Sequence, residues 1–445
     1  MRDSIIVKIR EAGVVGAGGA GFPTHVKVAA NADTVIVNGA ECEPLLRVDQ
    51  QLMEMSATKV VKGLAAVIEA TGAAEGVIAL KGKHHAAIAA LGAAIGKNMR
   101  LSILGDFYPA GDEHVLVHEA VGRLVPQGAI PISVGCVVTN VETLVNVADA
   151  LEGAAVTHSY VTVAGEIAQP VTLRLPIGTA VADALALAGV ERLDGLRVLD
   201  GGPMMGRLVG DLRQPITKTT KGLIVLPERH QLIVKRTLPV EILLKRAHAA
   251  CMQCRYCTDL CPRYLLGHRL EPHKIMRGIK HIHGQESLLK MALACSECGV
   301  CEQYACSIGL SPRTINAALK QALAKQGLKA DPPAADQRCD RMQAERKIPV
   351  KRLIARTGLG GYDRPAPIDE RAVSVKQVEL LLKQHVGAPG LPVVEAGQTV
   401  RQGDLVARIP DGGLGANIHA SIAGVVTVVA DRIVITAPEG GAADD

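Results

Sequence analysis

Cys251-Met252-Gln253-Cys254-Arg255-Tyr256-Cys257-Thr258-Asp259-Leu260-Cys261-Pro262 sets the class of this chain. Three thiols at two-residue spacing can wrap three corners of a cubane iron–sulfur cluster, and a fourth a few residues later typically reaches the other cluster of a two-cluster protein. A second run, Cys295-Ser296-Glu297-Cys298-Gly299-Val300-Cys301-Glu302-Gln303-Tyr304-Ala305-Cys306, repeats the pattern, with four residues before its last cysteine and Ser307 where the first run has proline. The expected ligand sets therefore cross. One [4Fe–4S] cluster falls on Cys251, Cys254, Cys257 and Cys306, and the other on Cys295, Cys298, Cys301 and Cys261. A pair of zinc sites built from C-x2-C units is the rival reading, although three cysteines per run exceed what a tetrahedral site needs locally. Disulfide scaffolds belong to short secreted chains, and this chain has 445 residues.

That length suggests several domains. There is no Trp and there are only two Phe, Phe22 and Phe107, so the cores are expected to be built from Ala, Val, Leu and Ile. The net charge of +5 is spread out, without a Lys/Arg block or aromatic content for base stacking, which argues against a nucleic-acid role. No apolar run approaches a membrane span. The opening Ile5-Ile6-Val7-Lys8-Ile9-Arg10 is amphipathic, without a signal peptide's apolar core. The expectation is a soluble, cytoplasmic protein from a reducing compartment.

Residues 1–152 alternate β-rich runs, such as Thr34-Val35-Ile36-Val37 and Gly76-Val77-Ile78-Ala79-Leu80, with Ala-rich helical stretches over 53–70 and 84–96, an α/β pattern. Residues 153–235 shift to short strands around one helix at 178–189, as in a β-grasp module. Residues 236–330 are expected to be helical and carry both cysteine runs. Residues 331–372, rich in charge, Pro and Gly, read as a linker or extended crossing segment. Val-rich strands with Gly punctuation return over 373–437, as in a small barrel or sandwich.

A second chemical motif is Gly16-Ala17-Gly18-Gly19-Ala20-Gly21-Phe22-Pro23-Thr24. Glycines let a backbone approach a phosphate or flat ring and expose its N–H groups, but no strong strand precedes this loop, unlike the dinucleotide fingerprint. Three segments accompany it: Asn38-Gly39-Ala40-Glu41-Cys42-Glu43-Pro44, Tyr108-Pro109-Ala110-Gly111-Asp112-Glu113 and Thr139-Asn140-Val141-Glu142-Thr143-Leu144. Together the four resemble the flavin-binding subunit of respiratory complex I and its relative, the C subunit of the Rnf complex. The resemblance implies one FMN with NADH stacked above it. It places Gly18, Gly19 and Gly21 against the flavin and pyrophosphate, Lys27 on the phosphate, Asn38 on the isoalloxazine edge, and Asn140 and Thr143 in the phosphate and ribitol cradle. Phe22 would stack on the nicotinamide nucleotide, while Asp112 and Glu113, after Gly111, would bond ribose hydroxyls. Glu41 and Glu43 flank the same site, with solvated surface carboxylates as the plain alternative. Ala40 stands where the complex I pattern has aspartate, as in the Rnf-like branch. Cys42, Cys136 and Cys339 read as small buried hydrophobes or lone thiols.

Tyr160-Val161-Thr162-Val163-Ala164-Gly165-Glu166 with Gly201-Gly202-Pro203-Met204-Met205-Gly206 resembles the soluble-ligand-binding β-grasp (SLBB) module of this family. Gln384-His385-Val386-Gly387, Val400-Arg401-Gln402-Gly403-Asp404 and His419-Ala420-Ser421-Ile422-Ala423-Gly424 resemble a barrel-sandwich hybrid domain. No lysine follows Lys383, which excludes a lipoyl or biotinyl carrier. The Rnf protein carries this domain first; its C-terminal placement here resembles the cobalamin reductases of propanediol-utilisation microcompartments. The expected fold class is α/β multidomain: an FMN/NADH-binding α/β domain, an SLBB-like β-grasp, a helical double [4Fe–4S] ferredoxin-like domain and a C-terminal barrel-sandwich hybrid. The implied activity is NADH-dependent reduction of cobalamin, with FMN and two [4Fe–4S] clusters as cofactors. A cobalamin adenosyltransferase and a shell protein are the implied partners inside a bacterial microcompartment. Two other readings stay open: an electron-input subunit of the Rnf type, and a cluster-bearing shell adaptor without catalysis.

Overall fold

The computed structural model describes residues 2–279, 286–410 and 412–438; positions 280–285 of the expected cluster domain and Asp411 of the expected barrel-sandwich lie outside them. The N-terminal sheet joins β1 (Thr34–Gly39), β2 (Glu75–Lys81), β3 (Met99–Leu104) and β5 (Cys136–Asn140) in the order β3-β2-β1-β5, all parallel. Both faces are covered, which is why its strands read as continuous apolar runs. Val35, Val37, Ile78 and Leu80 enter one core under the helices Ala57–Thr71 and Val141–Leu151. Ile36, Val77, Ala79 and Val138 enter a second core with the helix Glu113–Val121.

The β-grasp sheet contains β6 (His158–Gly165), β7 (Val171–Pro176), β8 (Leu196–Asp200), β9 (Arg207–Leu208) and β10 (Gly222–Pro227), with the helix Val181–Leu187. β6 and β10 run parallel at its centre. The cysteine-rich region is built of short helical turns, framed by the longer helices Val240–Ala250 and Pro312–Lys325.

The segment 331–372 is a strap with structure of its own. Its β11 (Ile348–Pro349) pairs with β4 (Phe107–Tyr108) of the N-terminal domain, and its helix Val350–Thr357 packs through Leu353 and Ile354 into the core that holds Cys298 and Val300. Arg364 then bonds the carbonyls of Gly165 and Ala168, and β12 (Ile368–Asp369) adds a parallel edge strand beside β7. Charge, Pro and Gly content signals a linker only when nothing accepts the backbone; here β4 of the N-terminal domain and the β7 edge of the β-grasp sheet do.

The C-terminal domain closes with two antiparallel sheets. β13 (Gln377–Leu381), β19 (Arg432–Thr436), β18 (Gly424–Val429) and β15 (Thr399–Val400) form one; β14 (Leu391–Pro392), β16 (Leu405–Arg408) and β17 (Ile418–His419) form the other. Its apolar interior, including Val378, Val406, Val426 and Ile433, is continuous with that of the N-terminal domain. The last domain in sequence therefore folds back onto the first.

Candidate functional site

Strand order reverses at β1: β2 and β3 follow on one side and β5 lies on the other. In open α/β sheets, ligands bind at the carboxyl ends of the strands at such a switch point. Asn38 and Asn140 are register partners there. Asn140 caps the helix Val141–Leu151 by accepting from the Glu142 amide at 2.9 Å and donates to Asp49 Oδ2 at 2.7 Å. Asn38 donates to the Gly111 carbonyl at 2.9 Å and accepts from the Ala40 amide, tying the end of β1 to the loop before Glu113–Val121.

The glycine loop lies over this point. The Ala17 amide donates to Thr143 Oγ1 at 2.9 Å, fastening the loop to the start of the helix Val141–Leu151. Among the described residues, no protein acceptor takes the exposed amides of Gly18, Gly19 and Ala20, and a side chain at 19 would meet nothing. Such a run of free N–H groups can receive an anion. Lys27 donates to the Val138 carbonyl and stands 3.7 Å from Glu113. Phe22 is half-buried at the end of the loop. Gly21 has another reason to be glycine. Its φ is +68°, and a Cβ would press on Thr219 of the β-grasp and on His385 and Gln384 of the barrel-sandwich at 3.0–3.2 Å.

Below the loop lies a charge network that joins residues of two quoted motifs, Glu41 and Glu142, to residues outside them. Lys221, from the start of the β10 region, ion-pairs with Glu142 and lies 3.7 Å from Asp49. Glu142 accepts from the Tyr160 amide, and both Glu41 oxygens accept from the amides of Asp49 and Gln50. Burial lowers the Lys221 ammonium from its ordinary value and pushes Glu41 up to about 7, with the Asp49 carboxylate adding to the latter. Glu142 lies inside a quoted motif, but Asp49 and Lys221 carried no signal of their own.

Two further expected site carboxylates, besides Glu41, are engaged by the protein. Asp112 caps the helix Glu113–Val121 through the amides of His114 and Val115, and it pairs with Arg263 of the cluster domain at 3.0 Å. Glu43 accepts from the amides of Met204 and Met205, both at 2.9 Å. Glu113 remains exposed beside Lys27.

The cysteines gather as two crossed sets. One cavity is lined by Cys251, Cys254, Cys257 and Cys306, the other by Cys261, Cys295, Cys298 and Cys301. The thiols surround volumes: among the described residues, no three His, Cys, Asp or Glu side chains converge on a point for a single ion. Burial first, then the neighbouring thiols, pushes Cys257 up to about 12 and raises Cys301 strongly. Four cysteine sulfurs around one cavity, whose thiolates repel one another, fit a group that supplies positive metal charge. N–H···S contacts are already in place, from Gln253 to Cys251, Glu297 to Cys295 and Leu310 to Cys306, of the kind that tunes cluster potentials.

Four family models match successive parts of the chain. Residues 9–149 match the Nuo51 FMN-binding domain, 160–208 the SLBB domain, 250–311 a 4Fe-4S dicluster domain and 364–442 the RnfC barrel sandwich hybrid domain. The chain is 48 % identical over 434 residues to the cobalamin reductase PduS of Salmonella typhimurium, covering 97 % of this chain and 96 % of the relative. It is 47 % identical to the cobalamin reductase PduS of Citrobacter freundii, covering 96 % and 94 %. The C subunit of the Na(+)-translocating ferredoxin:NAD(+) oxidoreductase complex of Acetobacterium woodii is 36 % identical over 273 residues, 59 % of this chain and 58 % of that relative.

Proposed function

This chain belongs to the family of the PduS cobalamin reductases, and from that premise we propose that it is an oxidoreductase carrying electrons from NADH, through FMN and two [4Fe–4S] clusters, to cobalamin. The observation that carries the reading is the pairing, in one chain, of two crossed cysteine cavities with a free-amide glycine loop at a sheet switch point. When bound, FMN supplies the step from a two-electron hydride donor to single electrons, which the clusters pass on.

The chain's own groups bind and orient. The amides of Gly18, Gly19 and Ala20 and the Lys27 ammonium hold phosphate charge. Asn38, Asn140 and Thr143 fix the strand ends and the loop against one another, and Gly111 holds the Asn38 amide group. Phe22 offers its ring to the nicotinamide nucleotide, and Glu113 offers the carboxylate for its ribose. Asp112 and Glu43, engaged elsewhere, hold the neighbouring domains. Glu41, through the Asp49 amide, sets the floor of the cradle.

No helix among the described residues is long and apolar enough to cross a membrane. The microcompartment setting, with a cobalamin adenosyltransferase and a shell protein as partners, is carried by the family resemblance alone.

The test is anaerobic. Protein loaded with FMN and clusters receives NADH, and the hydroxocobalamin spectrum is followed. NADH-driven conversion to cob(II)alamin that disappears when the clusters are removed is the expected result. Fast NADH oxidation with ferricyanide and none with cobalamin would move the Rnf-type reading ahead. A protein that binds no FMN would return the shell-adaptor reading.

A further inference from the structure

The two cysteine cavities differ in what surrounds them. Cys261, Cys295, Cys298 and Cys301 are each at most 9 % exposed. Of the other set, Cys251, Cys257 and Cys306 are half-buried and Cys254 is exposed.

The enclosed set is tied to the flavin domain. The Tyr108 hydroxyl donates to the Cys298 carbonyl at 2.6 Å. Arg263, two residues after Cys261, pairs with Asp112, which follows the Gly111 whose carbonyl holds Asn38. Thus short chains of bonds lead from the end of β1 to the neighbourhood of Cys298 and Cys261. The β-grasp closes another side, where the Met204 carbonyl lies 3.0 Å from any Cβ placed on Gly299.

The other set opens outward. Met252 and Ile308 line its cavity, and Tyr256 lies in the same loop; they are 63 %, 37 % and 55 % exposed. Large apolar side chains grouped at an exposed site mark a contact surface. Electron transfer weakens steeply with distance, so an acceptor too large to enter the protein must land where a cluster edge nears the surface.

We propose that the cluster on Cys261, Cys295, Cys298 and Cys301 is the internal relay, that the cluster on Cys251, Cys254, Cys257 and Cys306 is the exit, and that Met252, Tyr256 and Ile308 form the face on which the corrin ring of cobalamin lands. The assignment rests on the reading of this chain as a cobalamin reductase. A corrin is a broad, flat macrocycle with apolar faces, and the exposed Met252 and Ile308 side chains offer apolar contact to it beside Arg255 and His273, which line the same cavity. The electrons balance: one NADH leaves as NAD+ and a proton, and its two electrons reduce two cob(III)alamin molecules to cob(II)alamin, each taking one.

Three full-chain variants carrying FMN and iron test this, with flavin bleaching by NADH and low-temperature EPR read beside cobalamin reduction. Met252→Asp with Ile308→Asp is expected to raise the KM for hydroxocobalamin about tenfold, while NADH still bleaches the flavin and develops the EPR signals of both clusters. Cys257→Ala, with its iron content halved, is expected to keep NADH-driven reduction of the remaining cluster and lose cobalamin reduction. Cys298→Ala is expected to leave a cluster that dithionite reduces and NADH does not. Wild-type cobalamin kinetics in the rim variant, or retained cobalamin reduction in Cys257→Ala, would overturn the assignment. A wild-type protein whose clusters are reduced by NADH but which never reduces cobalamin would instead sink the cobalamin reading, while the EPR still orders the clusters.

Discussion

Between Cys251 and Cys257 the left-handed residues are Gln253 and Arg255; between Cys295 and Cys301 they are Glu297 and Gly299. The two loops therefore turn alike, residue for residue. Their surroundings are opposite. Arg255 stands at the surface, 46 % exposed and 3.4 Å from Asp259. Gly299, at the same loop position, faces the Met204 carbonyl, which a Cβ there would meet at 3.0 Å. Met204 is itself held by Glu43 from the flavin domain and by Arg236, and Arg313 spans Met205 and Glu297. The comparison teaches that thiol spacing dictates the turn, while neighbouring domains decide whether the cluster it holds is enclosed or reachable.

The largest break in this contrast is expected from Gly299→Ala. A left-handed Ala costs about 1 kcal/mol, and the clash with a fixed carbonyl brings the loss to about 2–3 kcal/mol, with lowered iron occupancy. Arg255→Ala, strained less because it starts from a non-glycine in open space, is expected to shift stability by about 0.5 kcal/mol. Thermal unfolding with iron determination checks both, and equal losses would contradict the contrast.

Glu43 sharpens it through pH. Its carboxyl is pushed up to about 7 by burial, against the two methionine amides that pull it down. A carboxyl raised above its ordinary value near 4.5 binds its proton more tightly in the folded state. Its contribution is therefore full below that value and is lost as pH rises through about 7. Glu43→Gln is expected to flatten this decline by about 1–2 kcal/mol, allowing for the carboxyl's remaining solvent contact. Unfolding at a series of pH values from 4.5 to 7.5 measures it, and an unchanged slope would remove Glu43 from the account.

Tyr108→Phe is expected to cost less than Gly299→Ala. It deletes one hydroxyl and leaves the Cys298 carbonyl without that donor, a cost of about 1 kcal/mol. Its more telling readout is an EPR midpoint potential that moves for the enclosed cluster and stays for the exposed one.

Much of this site was legible in the sequence for a physical reason. Lining one small cavity with several thiols is a local demand, so Cys251, Cys254 and Cys257 stand at close spacing, and a loop of free amides is rich in glycine. The network under the loop was not legible, because Asp49, Glu142 and Lys221 meet only after the β-grasp docks on the flavin domain. Asp112 and Glu43 matched a ligand-binding pattern, yet their oxygens bond Arg263 and the Met204 and Met205 amides, partners more than 100 residues away. Gly21 likewise looked like a ligand contact and is required by His385 and Gln384. The strap 331–372 looked like a linker because a two-residue strand such as Ile348–Pro349 has no pattern until its partner Phe107–Tyr108 lies beside it.

By itself, then, the amino-acid order determined the crossed thiol sets and the glycine loop, set by spacing within a few residues, and the succession of domains. Only the tertiary structure decided which cluster is sealed against the flavin domain, which one meets solvent, and that the C-terminal domain shares a core with the first. Burial is a property of what packs around a residue, and here the packing partners come from every other part of the chain.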